Sequence, residues 1–256
     1  MEQKMKIKGI LFDKDGTLID FFSVWGTAAI QVTEKLCQKR GILQRQGELL
    51  KALGVKDRRA DSEGALAWKS YDGIAEELAP LLVTESEPDG PDPGQLSGEI
   101  SRLFFEEVAE KRTEYPVFTD VRAMMAALDR QGIRIGLATS DEQNSARKCM
   151  EILGADKYIS FWGTAGTELP EKPDGRLIRL AAEEWGLHPE EIAVVGDTPN
   201  DMRFAAAGGA FAVAVLSGTG TGKELGPLAD EVITSVAELE ELLMRKNREE
   251  EQHGSY

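Results

Sequence analysis

The stretch GILFDKDGTLID, residues 9–20, decides how the chain is read. Ile10, Leu11 and Phe12 form an apolar run that stops abruptly at Asp13-Lys14-Asp15 and turns through Gly16-Thr17. In a strand, residues i and i+2 share a side and lie about 6.5–7 Å apart. Two ionised carboxylates at that spacing repel by roughly 2–3 kcal/mol at an effective dielectric of about 20. Three things can relieve such a pair: a bound cation, a shared proton, or free solvation at a ragged strand end.

Working outward, similar apolar, β-branched segments recur as KIKGILF (6–12), IRIGLAT (133–139), EIAVVGD (191–197) and AFAVAVL (210–216), with a weaker one in KYISFWG (157–163). Near-continuous apolar runs of this length suit strands covered on both faces of a parallel sheet. Helical patterns at 120–132, 144–154, 175–186 and 201–209 separate the later runs, with Gly132, Gly154 and Gly186 where helices should end. Strand alternating with helix predicts an α/β core, a Rossmann-like parallel sheet with right-handed crossovers. Residues 21–114 interrupt this rhythm with helix-like segments at 21–41, 46–54, 62–82 and 94–112 and no convincing strand. The expected organisation is therefore a core of residues 1–20 and 115–256 carrying an inserted helical domain, 21–114. Within the insert, TESEPDGPDPGQ (84–95) reads as a solvated loop, and order is expected to end after about residue 245.

Composition narrows the function. A formal net charge of −15 over 256 residues repels nucleic acid and anionic lipid, so neither is expected as a partner. Cys37 and Cys149 stand far apart in no metal-binding or redox spacing, which fits a reducing cytosol. The first residues run into the first strand without an apolar leader, so the protein is expected to be soluble and cytoplasmic, a monomer or small homo-oligomer. Its two histidines, His188 before a strand and His253 in a polar tail, read as solvated surface residues. A Ser-His-Asp triad or a histidine-rich zinc site is excluded on that reading, and chemistry is left to carboxylates, lysines and hydroxyls.

Ligands of open α/β sheets bind beyond the carboxyl ends of the strands. Asp13 and Asp15 follow the first strand, Thr139 and Ser140 the second, and Asp197 and Asp201 the third, with Lys172 on an intervening loop. Several carboxylates brought together without a cation would repel by several kcal/mol, roughly. Hard oxygen ligands in this number suit Mg²⁺, and an ammonium, a hydroxyl and backbone amides beside it are the elements that hold a phosphoryl group.

The motifs DKDGTL, LATS, EKP and GDTPND, in this order, strongly resemble the haloacid dehalogenase superfamily, and the match spans residues 5–20 and 115–240. The insert resembles that family's helical cap, as in its phosphoglycolate phosphatase and β-phosphoglucomutase-like members. The resemblance implies a Mg²⁺-dependent phosphatase acting on a small phosphorylated metabolite. It implies Asp13 as nucleophile forming an aspartyl-phosphate and Asp15 as general acid and base. It further implies Thr139, Ser140 and Lys172 as phosphate-binding groups, and Mg²⁺ held by Asp13, the carbonyl of Asp15, Asp197 and Asp201. Dehalogenases of the superfamily lack the second carboxylate, so Asp15 points to phosphoryl chemistry.

Weaker signals stand beside these. LGVKDRRADS (53–62) resembles a specificity loop of related caps, which would bring Lys56, Arg58 or Arg59 to the substrate; an exposed basic turn is the alternative. Phe21, Phe22 and Trp25 have the spacing of a helix packing into the cap core. SGTGTGKEL (217–225) imitates a nucleotide-binding P-loop, but Ser217 and Glu224 occupy positions that need Gly and Ser or Thr, so it reads as structural. A phosphomutase on the same core and a non-catalytic phospho-ligand binder are the competing functions.

Overall fold

A computed structural model describes residues 7–56, 59–61, 64–110 and 113–253, with side chains except at 59, 60, 68, 109 and 247–253. The strands are β1 (Gly9–Phe12), β2 (Val55–Lys56), β3 (Arg59–Ala60), β4 (Arg134–Glu142), β5 (Phe161–Ala165), β6 (Ile192–Gly196), β7 (Phe211–Val215) and β8 (Glu231–Ile233). The chain divides into two compact units, Met1–Asp20 with Val117–Tyr256, and Phe21–Pro116.

The first unit is an α/β sheet of six parallel strands in the order β5-β4-β1-β6-β7-β8. All of β1 and β6 is buried, as expected of strands covered on both faces. β1 lies between β4 and β6, with Phe12 opposite Leu137 on one side and Val195 on the other. After β1 the chain adds β4 and β5 on one side, then returns to add β6, β7 and β8 on the other. The order therefore reverses at β1, the position where open α/β sheets bind ligands beyond their strand ends.

The helices of this unit follow from their apolar stripes and caps. Asp120 accepts from the Ala123 amide at 2.9 Å and starts Val121–Arg130, which buries Val121, Met125 and Leu128. Arg176–Trp185 buries Leu177, Ile178, Ala181 and Ala182 and ends at Gly186, whose φ of 65° is the left-handed conformation of a helix stop. Leu177, Ile178 and Ala181 join Leu11, Val194 and Phe204 in one apolar core. Each such side chain taken from water contributes about 1.5–3 kcal/mol.

The second unit is mainly helical, with Thr27–Arg40, Gln46–Ala52, Tyr71–Leu78 and Pro93–Phe105 as its main elements and the small antiparallel pair β2–β3. Phe104 anchors it, its ring centroid 5.6 Å from Trp25 and 5.8 Å from Tyr71. Phe21 and Trp25 are buried, as expected of cap-core residues, and Phe22 is half-buried.

Four details differ from the sequence reading. β8 and the β2–β3 pair were not foreseen; each is two or three residues long, too short for a periodic pattern. Residues 115 and 116 fall with the second unit, where the Tyr115 hydroxyl donates to the Val108 carbonyl at 2.7 Å. The loop from 84 closes early, because Asp92 accepts from the Gln95 amide at 3.0 Å and Pro93 opens a helix. The last helix, Leu239–His253, runs past residue 245, with Arg245 and Lys246 both paired to Glu231.

Candidate active site

Asp13 stands immediately beyond β1, its amide still donating to the Val195 carbonyl at 2.8 Å, so the ladder to β6 fixes where it sits. β6 delivers Asp197, and the helix Pro199–Gly208 delivers Asp201 from its first turn. One carboxylate oxygen from each of Asp13, Asp197 and Asp201 lies within 4.8 Å of the others, and all three residues are buried. Lys172, on the loop between β5 and the helix Arg176–Trp185, donates to Asp13 Oδ1 at 2.6 Å and to Asp201 Oδ1 at 2.7 Å. Lys172 thus bridges two of the three clustered acids, and Asp197 completes the cluster without pairing to it.

The electrostatics follow from that imbalance. Burial pushes the Asp13 carboxyl up, Lys172 pulls it back, and Asp201 and Asp15 push again, leaving it at about 7. Burial, with Asp13 and Asp201 nearby, carries Asp197 well above the ordinary carboxylate range. Lys172 loses stability as a cation through burial, but Asp13 and Asp201 more than restore it and hold the ammonium charged. A cluster of buried hard oxygen donors in excess of its own positive charge fits a divalent cation.

Local structure holds the acids in place. Asp201 Oδ2 accepts from the Thr198 amide at 3.0 Å and hydroxyl at 2.6 Å, while Thr198 caps the helix that carries Asp201. Asp197 Oδ2 accepts from the Thr219 amide at 2.7 Å, and its backbone carbonyl accepts from the Gly220 amide at 3.0 Å. The Gly-rich loop after β7 is therefore a bracket for Asp197. Gly16 turns the chain with φ at 93°, and a Cβ there would stand 2.5 Å from Asp197 Oδ2. A Cβ at Gly218 would also overlap that carboxylate.

Asp13 and Asp15 turn to different lysines, although Asp15 still raises the Asp13 carboxyl. The chain leaves the strand after Phe12, Asp13 turns to Lys172, and Asp15 turns to Lys14, whose Nζ lies 2.7 Å from Oδ1 and 2.6 Å from Oδ2. Lys14 is fully buried and also pairs with Asp141 at 3.1 Å. Burial opposes its charge, yet Asp15 and Asp141 lift it well above the ordinary lysine value. Sequence reasoning passed over both Lys14 and Asp141; the only signal was a lysine flanked by two acids, which strand alternation would have sent to the other face.

Thr139 and Ser140 lie on β4 just past Leu137, the partner of Phe12; Thr139 is buried and Ser140 exposed. The Thr139 hydroxyl accepts from the Asp141 amide at 3.2 Å. Arg58 lies outside the described residues, and Arg59 belongs to β3, where its side chain is not described. Lys56 is exposed on β2, and His188 is exposed with its amide donating to Glu191 at 2.9 Å. Among the described residues no helix is long and apolar enough to cross a membrane.

Comparison with known proteins shows the family to which the chain belongs. The family model of haloacid dehalogenase-like hydrolases matches residues 7–209. A phosphoglycolate phosphatase of Chromobacterium violaceum is 30% identical over 240 residues, covering 93% of this chain and 96% of its own. One from Salmonella typhimurium is 30% identical over 241 residues, covering 91% and 90%. Among solved structures, a predicted phosphoglycolate phosphatase of Haemophilus somnus superposes with a TM-score of 0.70 at 16% identity, over 92% of this chain and 97% of that one. A β-phosphoglucomutase of Clostridium difficile does so with a TM-score of 0.64 at 20% identity, over 94% and 98%. At these identities the two structures speak for the fold, and the sequence relatives speak for the family. The chain belongs to the haloacid dehalogenase-like hydrolases, as a phosphatase of that family.

Proposed function

We propose that the chain is a Mg²⁺-dependent phosphatase that hydrolyses a small phosphomonoester, phosphoglycolate or a close analogue, through an aspartyl-phosphate on Asp13. The observation that carries this reading is the meeting of Asp13, Asp197 and Asp201 with a single ammonium, Lys172, at the point where the strand order reverses. The substrate class comes from the relatives named above. The net charge of −15 and the lack of basic runs favour a small cytoplasmic metabolite over nucleic acid or membrane.

In the first half-reaction an Asp13 carboxylate oxygen attacks phosphorus and the bond to the ester oxygen breaks. Asp15 gives its proton to that oxygen, which leaves as the alcohol. In the second half-reaction Asp15 takes a proton from water, and the water oxygen attacks phosphorus. The bond to Asp13 then breaks, releasing phosphate and restoring both carboxyl groups. Lys172 neutralises charge on Asp13 and on the arriving phosphoryl group, and Thr139 with the Ser140 amide orients the phosphoryl oxygens. Mg²⁺, held by Asp13, Asp197, Asp201 and the Asp15 carbonyl, would offset the acidic cluster and anchor the dianion. Arg58 or Arg59 is proposed to reach the rest of the substrate, so replacing both with alanine should raise KM, and an unchanged KM would remove that role.

The mutase reading has only fold likeness behind it. Phosphate release from phosphoglycolate, with and without Mg²⁺, tests the proposal. Turnover should require the cation, and Asp13→Asn should lower kcat by roughly 10⁴-fold or more. Cation-independent turnover, or activity surviving in Asp13→Asn, would sink it.

A further inference from the structure

Lys14 is an expensive residue for its position. It is fully buried, yet it sits next to the acids in the sequence and not in an apolar patch that merely needs filling. An ammonium placed there must be compensated, and a methionine would fill the space without that demand. Its two carboxylate partners differ in kind. Asp15 is partly exposed, its side chain 14% accessible, and both its oxygens lie within 2.7 Å of Nζ. Asp141 is buried, its side chain 1% accessible, and its Oδ2 lies 3.1 Å from the same Nζ. Asp141 is itself fixed: its Oδ1 accepts from the Glu142 amide at 2.8 Å, and its own amide donates to Thr139 Oγ1 at 3.2 Å.

We infer that Lys14, anchored by Asp141, is a positioning residue that aims the Asp15 carboxyl. This role rests on the proposed part of Asp15 as general acid and base. A carboxyl at the rim of a site, on a segment that has already left its strand, has rotational freedom that acid catalysis cannot use. The two-point grip of one buried ammonium removes that freedom. Asp141 makes the grip reversible: when Asp15 turns towards the leaving oxygen, Lys14 keeps a buried counter-charge and is not stranded. The anchor is on β4 and the aimed group follows β1, so the device spans adjacent strands that pair from Gly9 with Arg134 to Phe12 with Leu137. Because Thr139 lies in the same hydrogen-bonded stretch, the element that orients the acid is continuous with the one assigned to the phosphoryl oxygens.

The test exploits the fact that a general acid matters in proportion to how poor the leaving group is. Values of kcat/KM, which report steps up to departure of that group, are compared for an alkyl phosphate such as phosphoglycolate and for 2,4-dinitrophenyl phosphate. Asp15→Asn is the benchmark and should lose roughly 10²–10⁴-fold on the alkyl ester and far less on the activated one. Lys14→Met should reproduce that asymmetry at about 10-fold to 10²-fold on the alkyl ester, with Lys14→Arg recovering part of it. Should Lys14→Met fail to fold, the double variant Lys14→Met/Asp141→Asn removes both buried charges together and should show the same asymmetry. Equal losses on both esters, or none, in a folded Lys14 variant beside an asymmetric Asp15→Asn would overturn the inference. A symmetric loss in Asp15→Asn would instead remove the acid role of Asp15, and the inference with it.

Discussion

Two clusters of charge in this molecule use the same residue types to opposite effect. Beyond β1 and β6, Lys172 binds Asp13 and Asp201 with side chains 5%, 9% and 1% accessible. In the helical unit, Glu99 on the helix Pro93–Phe105 takes Lys39 at 2.7 Å and Arg40 at 3.1 Å, and Lys39 is 64% accessible. The distances are alike; the surroundings are not. Lys39 is open to water, which screens its pair with Glu99, while Glu99 and Arg40 are themselves 15% and 10% accessible. In the first cluster, little water reaches the acids, so an unpaired charge there is costly, and positive charge, from Lys172 or a bound cation, must be present to keep the balance. Position at the strand ends, rather than the number of charges, marks one cluster as a site.

Removing the shared ammonium is the severest way to break this contrast. Lys172→Met leaves the acids of the first cluster without their lysine and should cost about 3–5 kcal/mol of stability. For a domain of this size that corresponds to a fall in Tm of roughly 6–20 °C. Millimolar Mg²⁺ should restore part of the loss, because it binds the native cluster and not the unfolded chain. Turnover should not return with stability, since Lys172 is also assigned to the phosphoryl group. An unchanged Tm without the cation would mean that burial does not set the value of this pair.

A smaller perturbation sharpens the same point without altering charge. Gly218→Ala places a methyl group where the Asp197 carboxylate lies, while leaving all three acids and Lys172 in place. Overpacking of this kind costs about 1–3 kcal/mol. The displaced carboxylate should weaken Mg²⁺ more than it weakens the fold, seen as a reduced cation-induced rise in Tm. A variant that lost stability and kept its full response to Mg²⁺ would remove Asp197 from the ligand set.

The two clusters were not equally legible in the sequence. β1, β6 and β7 are apolar throughout or nearly so, and their abrupt ends announced Asp13 and Asp197 directly. Lys172 could be put only on a loop near the site, and its role came through resemblance, because a loop residue carries no period. β4 runs through Ser140, Asp141 and Glu142, polar residues that no strand pattern would include; of these Glu142 pairs with Ala165 of β5 after a shift in register. Asp141 was hidden for that reason. Lys14 was hidden because its direction depends on where the strand stops, a tertiary fact. The Gly-rich loop after β7 was read as structural, and its contact with Asp197 depends on a fold that brings residues 197 and 219 together. In the helical unit the apolar stripes were plain, whereas its ion pairs link residues about 60 apart, such as Lys39 with Glu99.

The mildest test lies in that second cluster and works through pH. Burial alone would raise the Glu99 carboxyl, but hydrogen bonds from Lys39 and Arg40 outweigh it and hold the group below its ordinary value. A carboxyl depressed on folding adds stability above its unfolded pKa, about 4.3, and loses it as pH falls through the lower folded value. Glu99→Gln should therefore cost at most about 1 kcal/mol at pH 7. The gap between variant and parent should close below about pH 4. It should also shrink in 1 M salt, where the screening length is about 3 Å. The loss in Lys172→Met should resist the same salt, because bulk ions do not enter a cluster whose acids are 91% or more shielded from solvent. Equal salt sensitivity in the two variants would mean that both clusters are solvated alike, and burial would no longer explain why only one of them gathers the groups of an active site.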